Sequence, residues 1–193
     1  MSMTEDATAA ATHLDDAIAH ERTGHLCLMA GNGTGGREAM ARAAESYWAS
    51  WQTAPPAAIG RLVGMLKASV IAGDATLAAR KTLRELPRAA SPSGAYARAL
   101  AHLVLGDDAQ AKTDVAALSD AGPAFARTGG AIDALAARDG TRYADALRAI
   151  ITDFELREAH LTGVAIADTA VMLEILAESR GLALHPQSPC LPA

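Results

Sequence analysis

The sequence predicts an all-α protein. Alanine supplies 47 of the 193 residues, aromatic residues make up only 4%, and apolar positions recur at helical spacing between regular breakers. Alanine is the best helix former and its small side chain lets helices approach closely. The β-branched and aromatic residues that mark strands are sparse. Such a chain is expected to form a helical-hairpin array or an irregular helical bundle.

Residues 4–30 read as one alanine-rich helix with Leu14, Ile18, His25 and Met29 near one face. Gly31-Asn32-Gly33-Thr34-Gly35-Gly36 then predicts a hinge or loop, because four glycines in six residues disfavour a helix. The next helix runs from about Arg37 to Gln52 and stops at Thr53-Ala54-Pro55-Pro56. It carries Tyr47, Trp48 and Trp51, three of the seven aromatic residues. These rings either supply bulk to an alanine-rich core or anchor a partner, since Trp and Tyr dominate protein–protein hot spots.

From residue 58 the pattern becomes regular. Ile59, Leu62, Val63, Leu66 and Val70 form a stripe that stops at Gly73-Asp74. Tyr96, Leu100, Leu103 and Val104 form another that stops at Gly106-Asp107, and Phe125, Ile132 and Leu135 lead to Arg138-Asp139-Gly140. A second helix follows each stop. Asp74, Asp107 and Asp139 are spaced 33 and 32 residues apart and suit N-caps of those second helices. Leu86-Pro87 and Gly122-Pro123 end two of the second helices, and Ser91-Pro92 places a capping side chain before a proline at a first helical position. A two-helix unit at this period resembles the tetratricopeptide-like repeat.

Tyr143, Leu147, Ile150, Ile151 and Phe154 then predict a long amphipathic helix ending near His160. Thr162 is the expected cap of a last helix that buries Val171, Met172, Ile175 and Leu176 and ends at Gly181. The closing run from His185 to Pro192 has a proline at every third position, predicting an extended tail packed across the terminal helices. The organisation is therefore an N-terminal helix and glycine hinge over 1–36, a helical-hairpin domain over 37–181 and a proline-rich tail over 182–193.

Charge and motifs exclude several functions. The net charge is −5 and the three lysines, Lys67, Lys81 and Lys112, form no cluster, so nucleic acid is not an expected partner. The acidic N-terminal run of Glu5, Asp6, Asp15, Asp16 and Glu21 reads as a solvated helix face. Without a basic leader or a long apolar run, no membrane partner and a cytoplasmic location are expected. Cys27 and Cys190 read as free thiols.

No metal, cofactor or catalytic set is expected from spacing. His20 and His25 are five apart, which puts them on different helix faces. His13, His20 and Cys27 share a face but lie about 10 Å apart along it, too far for one ion. The glycine loop lacks the Lys-Ser/Thr ending of a phosphate-binding loop. No nucleophile elbow or Glu-x-x-His pair occurs, and the three spaced aspartates already have capping roles.

The C-terminal half carries a family likeness. Ala131, Ile132 and Leu135 precede Asp139; Tyr143 and Leu147 follow on a long helix; then come Asp168, Leu173, Leu176, Ala177, Gly181 and the closing Ser188-Pro189-Cys190-Leu191-Pro192. Over residues 95–192 this resembles the immunity 49 family of bacterial polymorphic toxin systems. That family tends to end in a Ser-Pro-Tyr-Leu-Pro-like signature, matched here by Ser188, Pro189, Leu191 and Pro192, with Cys190 in place of tyrosine. The resemblance implies an all-helical immunity protein that binds and neutralises a cognate toxin without catalysis or a cofactor. A helical-repeat adaptor for a protein or peptide client is the alternative. In either case the partner is a protein, with Tyr47, Trp48 and Trp51 as its candidate contacts.

Overall fold

Breakers and caps set where each helix begins and ends. A computed structural model describes residues 3–192, with side chains from residue 8 onward, so the side chains of Glu5 and Asp6 lie outside the described residues. Among the described residues the chain is all-helical and contains no strand. Its helices are α1 (Met3–Met29), α2 (Gly33–Gln52), α3 (Gly60–Ala72), α4 (Thr76–Glu85), α5 (Pro92–Val104), α6 (Asp108–Val115), α7 (Pro123–Ala137), α8 (Gly140–Glu155) and α9 (Asp168–Glu178). A short 3-10 turn, Ala116–Leu118, follows α6.

The turns between α3 and α4, α5 and α6, and α7 and α8 follow the aspartate spacing. Asp107 accepts a hydrogen bond from Gln110 N at 3.2 Å, and Asp139 accepts one from Arg142 N at 3.0 Å. Asp74 sits one residue further out, its carboxylate 3.3 Å from Thr76 N, so Ala75 occupies the cap position. Gly73 and Gly106 leave their helices with positive φ. At the third turn Arg138 takes that conformation, at φ 56°, because the glycine lies two residues later inside α8.

Three expectations are corrected. The glycine-rich segment is not a hinge: Gly33, Gly35 and Gly36 lie in α2, where Asn32 caps the helix by accepting from Gly35 N at 3.0 Å. Gly36, and Gly24 opposite it on α1, serve close packing of the two helices. A Cβ on Gly36 would lie 2.7 Å from Leu28, and one on Gly24 would lie 2.7 Å from the Met40 sulfur. The boundary drawn at residue 36 therefore falls within a helix. Second, α8 ends at Glu155, five residues early, and an irregular segment over 156–167 follows. Third, Thr162 is no helix cap: α9 starts at Asp168, and the Thr162 hydroxyl is turned inward to His25.

Alanine sets how closely the helices pack. Ala39, Ala43, Ala68, Ala79, Ala97, Ala99, Ala131 and Ala134 have no exposed surface, while Met40, Leu62, Leu66, Leu100, Ile132 and Tyr143 supply bulk. The α1–α2 hairpin joins the rest through α3. Helix α9 returns to pack on α3, α8 and α7. Arg180, just past its end, donates to Leu103 O at 2.7 Å and to Asp108 at 2.6 Å.

The tail follows α8 and α9. Leu184 N and His185 N donate to Glu174 at 2.9 and 2.6 Å, and Cys190 is buried. Its backbone is not uniformly extended, since His185 has φ 50° and a turn occurs at Pro189-Cys190. No helix among the described residues is long and apolar enough to cross a membrane.

Candidate functional site

Charged side chains from three helices meet where α1, α3 and the start of α9 converge. Glu21 and His25, four residues apart, project from one face of α1 and are each only 1% exposed. Lys67 reaches in from the apolar stripe of α3. Its ammonium donates to Asp168 Oδ2 and lies 3.6 Å from Glu21 Oε1. Tyr47 donates its hydroxyl hydrogen to Glu21 Oε2 at 2.6 Å. His25 Nδ1 is 2.9 Å from Thr162 Oγ1, which ties the 156–167 segment to α1.

Burial and charge fix the protonation states. Burial opposes a charge on Lys67, but Asp168 and Glu21 outweigh it and hold the ammonium well above its ordinary range. Burial likewise opposes ionisation of Asp168, and Lys67 outweighs it, keeping that carboxyl below the usual carboxylate value. His25 is pushed down chiefly by burial, against the opposing pull of Asp168 and Glu21. Tyr96 is pushed up to about 12, principally by burial. A lysine clamped in this way is a fixed cation and a poor nucleophile, which needs the neutral amine.

This cluster forms the floor of a cleft of about 320 Å³ reached by His25, Lys67, Tyr96 and Asp168. One wall is an Arg127–Asp153–Arg157 set, with Arg157 donating to Asp153 at 2.6 Å and Arg127 pairing with the same carboxylate. The hydrogen bond from Arg157 is the main reason the Asp153 carboxyl titrates below its ordinary value. Arg157 also lies 3.6 Å from the Phe154 ring centre, and His160 stacks on that ring at 6.2 Å. At the mouth Leu161 is 72% exposed, and nearby in sequence Leu156 is 78% exposed.

The residues singled out in the sequence lie elsewhere. Tyr47 is buried and belongs to the core and to the ion cluster, so it is not a surface contact. Trp48 and Trp51 are half-buried on α2 and line none of the cleft. Lys81 sits 4.4 Å above the Trp48 ring centre, and Trp51 Nε1 donates to Glu85 at 3.4 Å. The acidic run splits: Asp15 and Asp16 are exposed, whereas Glu21 is buried. The closing signature acts indirectly. Ser188 donates to Glu155 at 2.6 Å, and Cys190 O accepts from Ala167 N at 2.7 Å, fixing the residue that precedes Asp168.

No family model, curated protein or solved structure matches the chain. The geometry is the sole guide to the site.

Lys67, Glu21 and Asp168 escaped the sequence reading because they are far apart in the chain. One local signal was present. Glu21 and His25 share a helix face at a spacing of four, a pattern different from the Glu-x-x-His pair sought in the sequence.

Proposed function

We propose that the chain is a cytoplasmic binding protein that neutralises a bacterial toxin by docking it over the cleft between α7, α8 and the 156–167 segment. The observation that carries this reading is the mouth of that cleft. Leu161 stands largely exposed there beside an Arg–Asp–Arg wall and a Phe154–His160 stack, and Leu156, just past α8, is exposed next to Arg157 in the sequence. Large apolar side chains held in water next to arginine and aromatic groups have the composition of an interface hot spot. The toxin class comes from the C-terminal resemblance. A net charge of −5 favours a basic protein partner over nucleic acid.

The α3–α8 pairs are read as tetratricopeptide-like hairpins. The adaptor alternative would lay a peptide along the first helices of those pairs, but α9 already packs on α3 and α7. That weighs towards docking at the cleft. Lys67 is held as a cation, and the Thr162 hydroxyl beside His25 Nδ1 is buried, so inhibition by binding fits better than catalysis.

The test is co-expression with the toxin domain encoded beside this chain. Wild type should restore growth, and L156D/L161D should lose protection while remaining folded by circular dichroism. Continued killing despite abundant soluble wild-type protein would sink the reading.

A further inference from the structure

We propose that Glu21, His25 and Asp168 form a zinc site, and that the Lys67 ammonium holds its place when the metal is absent. One ligand atom from each of the three residues lies within 4.8 Å of the others, and all three residues are buried. Glu21 Oε1 and His25 Nε2 make no hydrogen bond, although both residues are 1% exposed. Buried polar groups are normally satisfied, so these two atoms, facing each other at 3.8 Å with the Lys67 ammonium 3.6 Å from Oε1, are placed to share a ligand.

The surrounding bonds orient those atoms. Tyr47 occupies Glu21 Oε2 at 2.6 Å, leaving Oε1 to face the Lys67 ammonium at 3.6 Å and His25 Nε2 at 3.8 Å. Thr162 engages His25 Nδ1 at 2.9 Å, leaving Nε2 free. This is the outer-shell pattern that fixes metal-ligating carboxylates and histidines. The ligand set suits zinc, which accepts mixed imidazole and carboxylate donors at about 2.0–2.2 Å. Tetrahedral bonds of that length place donors about 3.3 Å apart, so atoms as much as 4.8 Å apart must close by up to about 1.5 Å.

Charge favours the exchange. Two carboxylates, one ammonium and a neutral imidazole leave the cluster with one net negative charge. A divalent ion replacing the ammonium brings it to neutrality. Lys67 borders the cleft, so its flexible stem has somewhere to go. The same opening gives an entry path and a fourth coordination position. The sequence missed the site because Asp168 lies 147 positions from Glu21.

The test titrates tag-free, chelator-treated protein with Zn²⁺ by calorimetry, uses Co²⁺ as a spectroscopic probe, and includes Mg²⁺ as a control. Wild type should take up one Zn²⁺ per chain, with a His/carboxylate Co²⁺ spectrum and no Mg²⁺ uptake. His25→Ala and Asp168→Asn should each weaken binding at least tenfold. Lys67→Met, with Lys67→Gln as a second variant should the first misfold, should tighten it at least tenfold. Zn²⁺ should also raise the lowered melting temperature of the soluble Lys67 variant. Absence of uptake by wild type, or uptake unchanged in His25→Ala, overturns the proposal. Failure of zinc to bind more tightly to the soluble Lys67 variant overturns the placeholder role.

Discussion

At the scale of single residues, Lys67 pairs with two buried carboxylates from opposite ends of the chain. Removing one partner of a buried pair leaves an uncompensated charge and costs about 3–5 kcal/mol. Lys67→Met should therefore lose about that much in urea unfolding without metal; a loss below about 1 kcal/mol would mean water already screens the cluster. Asp153 offers a second measurement. Its folded pKa lies below the ordinary value, so its contribution is present above about pH 3.9 and disappears as pH falls through the lower folded value. Asp153→Asn should be less stable than wild type at pH 7, with the two converging in acid. A difference independent of pH would instead point to a packing effect.

These residues also mark the limit of what the sequence reveals. Asp107 and Asp139 were legible as caps because a cap is a bond between residues three apart. Thr162 was misread because its hydroxyl meets a histidine 137 positions away. Glu21 reads as one more solvated acid beside Asp15 and Asp16, because its one local mark, His25 four residues on, does not reveal Lys67 or Asp168.

At the scale of elements, close helix approach connects the fold to the cluster. Gly64 in α3 faces Tyr47, and a Cβ there would lie 2.7–2.8 Å from the ring. Gly64→Ala gains roughly 1 kcal/mol in helix propensity. Overpacking against a ring anchored to Glu21 costs about 1–3 kcal/mol. The net expectation is lower stability, measured by thermal unfolding, with an altered Tyr47 environment in the near-ultraviolet spectrum. A stabilised variant would show that the ring moves aside freely. Element boundaries were readable where glycine, proline or aspartate set them locally. The Gly31–Gly36 segment was not, because Gly36 answers to Leu28 on the facing helix and Asn32 caps the helix that begins inside the segment.

At the scale of the whole molecule, the C-terminus completes the site. Cys190 O holds Ala167 N, α9 begins with Asp168, and Asp168 meets Lys67 on α3. Deleting residues 186–193 should therefore speed amide exchange at Ala167 and the first turn of α9 and lower the melting temperature. Unchanged exchange there would separate the tail from the site. The all-helical class was plain from alanine and periodicity, but the cover that α9 lays over α3 and α7 was not, since it depends on contacts across the chain.

The central claim is that the cleft over this cluster is the binding surface, and a comparison of two surface variants tests it most directly. Calorimetry against the proposed toxin partner should show W48A/W51A binding within about threefold of wild type and L156D/L161D at least a hundredfold weaker, a loss of about 2.7 kcal/mol. Loss of binding in W48A/W51A with L156D/L161D unaffected would contradict the account and move the interface to α2.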